Sequence, residues 1–96
     1  MPFRITFTNS AAAQFERVEK LNPARARKVR RCLARLEINP KHPGLNSHKF
    51  VGIQSESGED VWESYVENNT PSAWRVFWFY GPGTGEITVI EIVEHP

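Results

Sequence analysis

Ala73-Trp-Arg-Val-Phe-Trp-Phe-Tyr80 decides the fold. It is the most hydrophobic stretch of the chain, rich in the aromatic and β-branched residues that favour strands. Turn residues bound it on both sides, Asn68-Asn-Thr-Pro71 before and Gly81-Pro-Gly-Thr-Gly85 after. One charge interrupts it, Arg75. A guanidinium among aromatics is costly to bury unless a partner or a substrate satisfies it. Arg75 is therefore the first pointer to function.

Outward from this strand, Val61 to Glu67 and Glu86 to Glu94 read as its neighbours, with His48-Lys-Phe-Val51 as a shorter strand upstream. At the other end of the chain, Phe3 to Thr8 alternates apolar and polar. Asn9-Ser10 offers a helix cap, and Ala11, Phe15 and Val18 follow at helical spacing. Asn22-Pro23 caps and starts a second helix whose apolar stripe is Ala26, Val29, Leu33 and Leu36. That helix must end near Ile38, because Asn39-Pro-Lys-His-Pro-Gly44 cannot stay helical. The order predicts a single α+β domain over 1–96. It comprises an N-terminal strand and a two-helix hairpin packed on one face of an antiparallel sheet of three to four further strands.

Turn length fixes an expected register. A five-residue turn at Gly81–Gly85 sets Trp74 opposite Ile92, Val76 opposite Ile90, Phe77 opposite Val89 and Arg75 opposite Glu91. A three-residue turn in the preceding hairpin sets Tyr65 opposite Arg75. Trp62, Val66, Trp74, Val76 and Trp78 then share the core side, with Glu63 and Glu67 outside. His95 follows Glu91 onto the outer face, and Lys49 points outward if Phe50 points inward. The uncovered face is thus expected to gather Lys49, Tyr65, Arg75, Glu91 and His95, with Phe77, Phe79 and Tyr65 available for base stacking.

Charge is divided along the chain. Residues 1–50 carry eleven Lys/Arg against three Asp/Glu, a balance of +8, and residues 51–96 carry one cation against eight acids, a balance of −7. The net of +1 conceals a basic half and an acidic half, which bears on partners. No apolar run reaches membrane-spanning length, and Met1-Pro-Phe-Arg-Ile5 lacks a signal-peptide core. Cys32 is the only cysteine. It rules out an intrachain disulfide, speaks against a structural zinc site, reads as a small apolar helix residue, and fits a reducing cytoplasm.

In the second helix Arg27, Arg31 and Arg35 lie on one row, flanked by Lys28 and Arg30, and Lys41, His42, His48 and Lys49 extend the positive zone. Like charges at that spacing repel by a few tenths of a kcal/mol, on the order of 0.2–0.5 per pair. Either acids of the second half or solvent answers the stripe, or a polyanion does, since phosphate contacts by Lys/Arg drive sequence-independent nucleic-acid binding.

Cleaving RNA without a metal needs a base for the 2′-hydroxyl, a cation for the pentavalent phosphate and an acid for the leaving oxygen. Arg75 offers a fixed fork for phosphate oxygens. His95 can act as acid or base near neutrality. Lys49 or Tyr65 could orient or activate the nucleophile, and Glu91 or Glu63 could act as base or hold Arg75. The same residues also read as a cross-strand Arg75–Glu91 ion pair beside a frayed terminal histidine.

Together, several segments resemble the RelE/ParE toxin superfamily of prokaryotic type II toxin–antitoxin systems. These are Phe3 to Thr8, the hairpin ending Leu36-Glu-Ile-Asn-Pro40, Pro43-Gly-Leu-Asn-Ser-His-Lys49, Trp74-Arg-Val-Phe-Trp78 and Ile90-Glu-Ile-Val-Glu-His-Pro96. The resemblance implies a toxin silenced by a cognate antitoxin, with no small-molecule cofactor. RelE-like members enter the ribosomal A site and cut mRNA, leaving a 2′,3′-cyclic phosphate without metal. ParE-like members instead poison DNA gyrase, and an inactive relative kept for protein binding is a third option. Carried over, Arg75 matches the arginine that acts on phosphate, His95 the terminal general acid, and Lys49 the segment holding a catalytic lysine or glutamate. The basic helix, with Arg27, Lys28, Arg30, Arg31 and Arg35, resembles the surface that meets ribosomal RNA, and Lys41 and His48 adjoin it. The late strands depart from strong ribonuclease members by carrying one cation, Arg75.

Overall fold

The computed structural model describes residues 2–95. Strand β1 (Arg4–Phe7) stops at Thr8, whose Oγ1 accepts the Ala11 N–H at 3.1 Å and caps helix α1 (Asn9–Leu21). The cap therefore sits one residue before the expected Asn9-Ser10. Asn22 Oδ1 accepts the Arg25 N–H at 3.1 Å, and Pro23 opens α2 (Pro23–Ile38), as its cap-then-proline order requires. A short 3₁₀ turn (Pro43–Leu45) leads to β2 (His48–Lys49), then β3 (Trp62–Tyr65), β4 (Trp74–Tyr80) and β5 (Glu86–Glu94).

The five strands form one sheet in the order β1-β5-β4-β3-β2. Neighbours from β2 to β5 are antiparallel, and β1 closes the far edge parallel to β5, with Arg4 beside Glu86 and Phe7 beside Val89. The helices lie on one face. Ala11, Val18, Ala26, Val29, Cys32 and Leu36 meet Val76, Trp78, Ile87, Val89 and Ile92 there, all buried. Burial pushes the Cys32 thiol up to about 12, with Arg35 pulling weakly the other way, so Cys32 is an inert core residue.

The hairpin β3–β4 has the expected register, with Trp62 opposite Trp78 and Tyr65 opposite Arg75. The hairpin β4–β5 does not. Gly81 still pairs with Glu86 through its N–H, so Tyr80 faces Ile87 and the turn proper shortens to Pro82–Gly85. Gly81 and Gly85 have φ of 126° and 74°, which only glycine adopts without strain. A bulge at Ile90 then shifts the register again: Phe77 faces Glu91 while Trp78 faces Val89. Its cause is legible in Val89-Ile90, an apolar doublet that a strict two-residue period would split between faces. The extra residue lets Ile87, Val89 and Ile92 all face the helices. Accordingly Arg75 opposes Val93, not Glu91, and Val76 opposes Ile92, not Ile90. No described helix is long and apolar enough to cross a membrane.

Candidate active site

Alternation along β3 and β4 turns Glu63, Tyr65 and Arg75 away from the helices. The end of β5 brings His95 to the same side, where its N–H binds the Ala73 carbonyl at 2.8 Å and its ring reaches Glu63. Strand β2 supplies the fifth polar group. Because His48 pairs with Glu63 and Lys49 with Trp62, the strand presents the histidine to the outer face. The expectation for Lys49 is thus corrected by one residue. Lys49 Nζ lies 6.0 Å from the Trp62 ring and 3.1 Å from Asp60, on the helix side of the sheet.

Glu63 is the hub. Only 1% of its side chain is exposed. Oε1 lies 2.6 Å from His48 Nε2, and Oε2 lies 2.6 Å from His95 Nδ1 and 3.6 Å from Arg75 Nε. The guanidinium stacks on Tyr65 at 3.6 Å, and its Nη1 donates to the carbonyls of Glu67 and Trp74. Arg75 Nε is buried without a hydrogen bond, the one such side-chain atom among the described residues. Buried donors are nearly always paired, and this one is answered only by the charge of Glu63 Oε2 at 3.6 Å. The two imidazoles are about half exposed, at 49% and 46%. A charged floor with titratable, accessible rims is what phosphate chemistry requires.

Other expected members are placed elsewhere. Glu91 lies across from Phe77 and forms no hydrogen bond or ion pair with Arg75 or Glu63 among the described residues; it borders a cleft with Phe79, Ile53 and Thr88. Phe77 and Phe79 are buried, because Phe50 from the loop after β2 packs on Phe77 at 4.9 Å. Neither can stack on a base, which leaves Tyr65. Glu67 departs from outer parity too, since β3 ends at Tyr65 and the N–H groups of Val66 and Glu67 both reach the Trp74 carbonyl. Its carboxylate turns to α2, 3.2 Å from Arg25 and 3.5 Å from Lys28. Burial pulls its pKa up, but the Trp74 N–H, Arg25 and Lys28 outweigh that and hold it below the usual range.

The basic helix is answered in part. Arg25 and Lys28 meet Glu67, and Arg30 meets Glu19 at 3.2 Å. Arg27, Arg31 and Arg35 form no ion pair among the described residues. Arg31 and Arg35 line a small cleft of about 100 Å³ with Lys28, Asn46 and Tyr65, so the stripe adjoins the ring on which Arg75 lies. Lys41 borders a different cleft, with Trp62, Trp78 and Tyr80. Sequence reasoning placed His48 with the basic surface and missed that it shares the outer face. Among the described residues no His, Cys, Asp and Glu side chains are arranged to hold a metal ion.

No family model and no curated protein matches the sequence. Solved structures do match. A YoeB/ParE toxin from Agrobacterium tumefaciens superposes with a TM-score of 0.73 at 11% identity, covering 97% of this chain and 99% of that one. The YoeB dimer of Staphylococcus aureus gives 0.71 at 13% identity over 100% of both chains. The archaeal RelE–RelB complex from Pyrococcus horikoshii OT3 gives 0.68 at 14%, covering 98% and 96%. The chain therefore has the fold of the RelE/ParE toxins, over essentially its whole length.

Proposed function

We propose that this chain is the toxin of a type II toxin–antitoxin pair and cleaves mRNA on the ribosome. The observation that carries the reading is the gathering of Arg75, Tyr65 and His95 around Glu63 on the face that the helices leave open. Arg75 binds the scissile phosphate and the charge it gathers. The 2′-oxygen bonds to phosphorus as the bond to the 5′-oxygen breaks. One proton leaves the 2′-hydroxyl for a base, and His95 gives one to the departing oxygen. Arg31 and Arg35 supply positive charge beside Tyr65 for the surrounding RNA. A cognate antitoxin holds the protein inactive in the cytoplasm, as RelB and YefM accompany the RelE and YoeB toxins in solved complexes.

Expression of the chain without its antitoxin tests this. Protein synthesis should stop, with mRNA cut in codon register. His95→Ala should lower cleavage by about 10²- to 10⁴-fold with the fold intact, and Arg75→Ala should relieve toxicity. DNA damage without translational arrest would point instead to gyrase. If both variants remain fully toxic, the assignment fails.

A further inference from the structure

Three heavy-atom contacts run in series through the site. The Asn46 carbonyl lies 2.8 Å from His48 Nδ1, His48 Nε2 lies 2.6 Å from Glu63 Oε1, and Glu63 Oε2 lies 2.6 Å from His95 Nδ1. Each contact is at hydrogen-bond distance. Both ring nitrogens of His48 are therefore engaged, and it has no free nitrogen to offer a substrate.

Glu63 is equally committed. It is buried, and each of its oxygens faces an imidazole, so it cannot itself reach a 2′-hydroxyl. What remains is His95. Its Nδ1 is tied to Glu63, while its Nε2 has no hydrogen-bond partner among the described residues. We propose that Glu63 is a positioning residue: it holds His95 as the Nδ1–H tautomer and so presents Nε2 as the atom that exchanges a proton with the substrate. His48, anchored on the Asn46 carbonyl, braces the other oxygen and keeps the carboxylate aimed. A hydrogen bond from one ring nitrogen dictates what the other can do. The catalytic consequence rests on the ribonuclease reading, but the tautomer does not.

The test uses nitrogen-15 NMR of the histidine rings in the purified full-length chain, alongside mRNA cleavage on ribosomes. In the wild type, neutral His95 should carry its proton on Nδ1, and both nitrogens of His48 should show hydrogen-bonded shifts. Glu63→Ala should move the His95 proton to Nε2 and lower cleavage by roughly 10²-fold or more while Arg75 still binds RNA. A neutral wild-type His95 that carries its proton on Nε2 and none on Nδ1 overturns the proposal, and needs no variant to fold. A folded Glu63→Ala chain that cleaves as the wild type does overturns the positioning role. If the tautomer is found but the wild type cuts no RNA, the ribonuclease reading falls and Glu63 still sets the ring.

Discussion

The two faces of β4 treat polar groups in opposite ways. On the helix side Val76 and Trp78 enter an apolar core crossed by a single polar thread. Trp78 Nε1 donates to Ser64 Oγ at 2.8 Å, Ser64 meets Ser47 at 2.7 Å, and Ser47 ends on the Pro40 carbonyl at 2.9 Å. Each group along it has a partner, and the chain closes on main chain. On the outer side Arg75 is also buried, yet its Nε has no hydrogen bond and only the charge of Glu63 at 3.6 Å beside it. Residues one position apart on one strand thus meet an apolar core on one side and a charged cluster on the other. Among the described residues the one buried side-chain donor without a hydrogen bond lies on the outer face.

The largest stability effects belong to the helix side. Trp78→Ala removes a fully buried indole and should destabilise the fold by about 3–5 kcal/mol in urea unfolding. A loss below about 1 kcal/mol would mean that the core does not turn on this face. Ser64→Ala should cost less, about 1–3 kcal/mol, because it strands the Trp78 N–H in apolar surroundings. It should leave cleavage per folded molecule unchanged, since Ser64 points away from Arg75.

A smaller, pH-dependent effect sharpens the boundary between the faces at Glu67. Its carboxylate holds Arg25 and Lys28 of α2, and its carbonyl accepts from Arg75. A carboxyl whose folded pKa is depressed stabilises above its unfolded pKa, about 4.3. That contribution is lost as pH falls through the lower folded value. The stability gap between wild type and Glu67→Gln should therefore be full at neutral pH and close in acid below about pH 4. A gap independent of pH would show that the ion pairs contribute nothing.

Much of this is legible in the sequence. The element order and the α2 cap follow from local chemistry, since proline and asparagine fix the helix start. The Tyr65–Arg75 pairing is as expected, although the link from Tyr65 to Trp74 is longer than the three-residue turn used to count it. The register of β5 was not readable by counting from the turn. A bulge adds a residue without a sequence mark except the Val89-Ile90 doublet, and core packing decides where it goes. The site was half legible for a related reason. Arg75 and Tyr65 lie on paired strands and His95 directly follows β5, so their parity survives. His48 and Lys49 lie on a two-residue strand, where one position of slip exchanges the faces. Glu63 had the right parity, but its bridging of two histidines depends on contacts between residues 32 and 15 positions apart, which no local pattern reports.

That exchange yields the smallest predicted effect. Lys49 was a candidate for activating the nucleophile, and its charge alone would suit the role. Its side chain is 61% exposed and pairs with an equally exposed Asp60, an arrangement worth at most about 1 kcal/mol. It also lies beside Trp62, which faces the helices, so the sheet stands between its ammonium and the Arg75 guanidinium. Lys49→Ala should shift stability by no more than about 0.5 kcal/mol and change cleavage by less than about threefold. His48→Ala, one residue earlier, should do measurably more, because it releases one oxygen of Glu63 and loosens the carboxylate that holds His95. Should Lys49→Ala prove the more damaging of the two, β2 would sit one residue out of register in the working protein, and the division of labour between the faces would have to be redrawn from that edge.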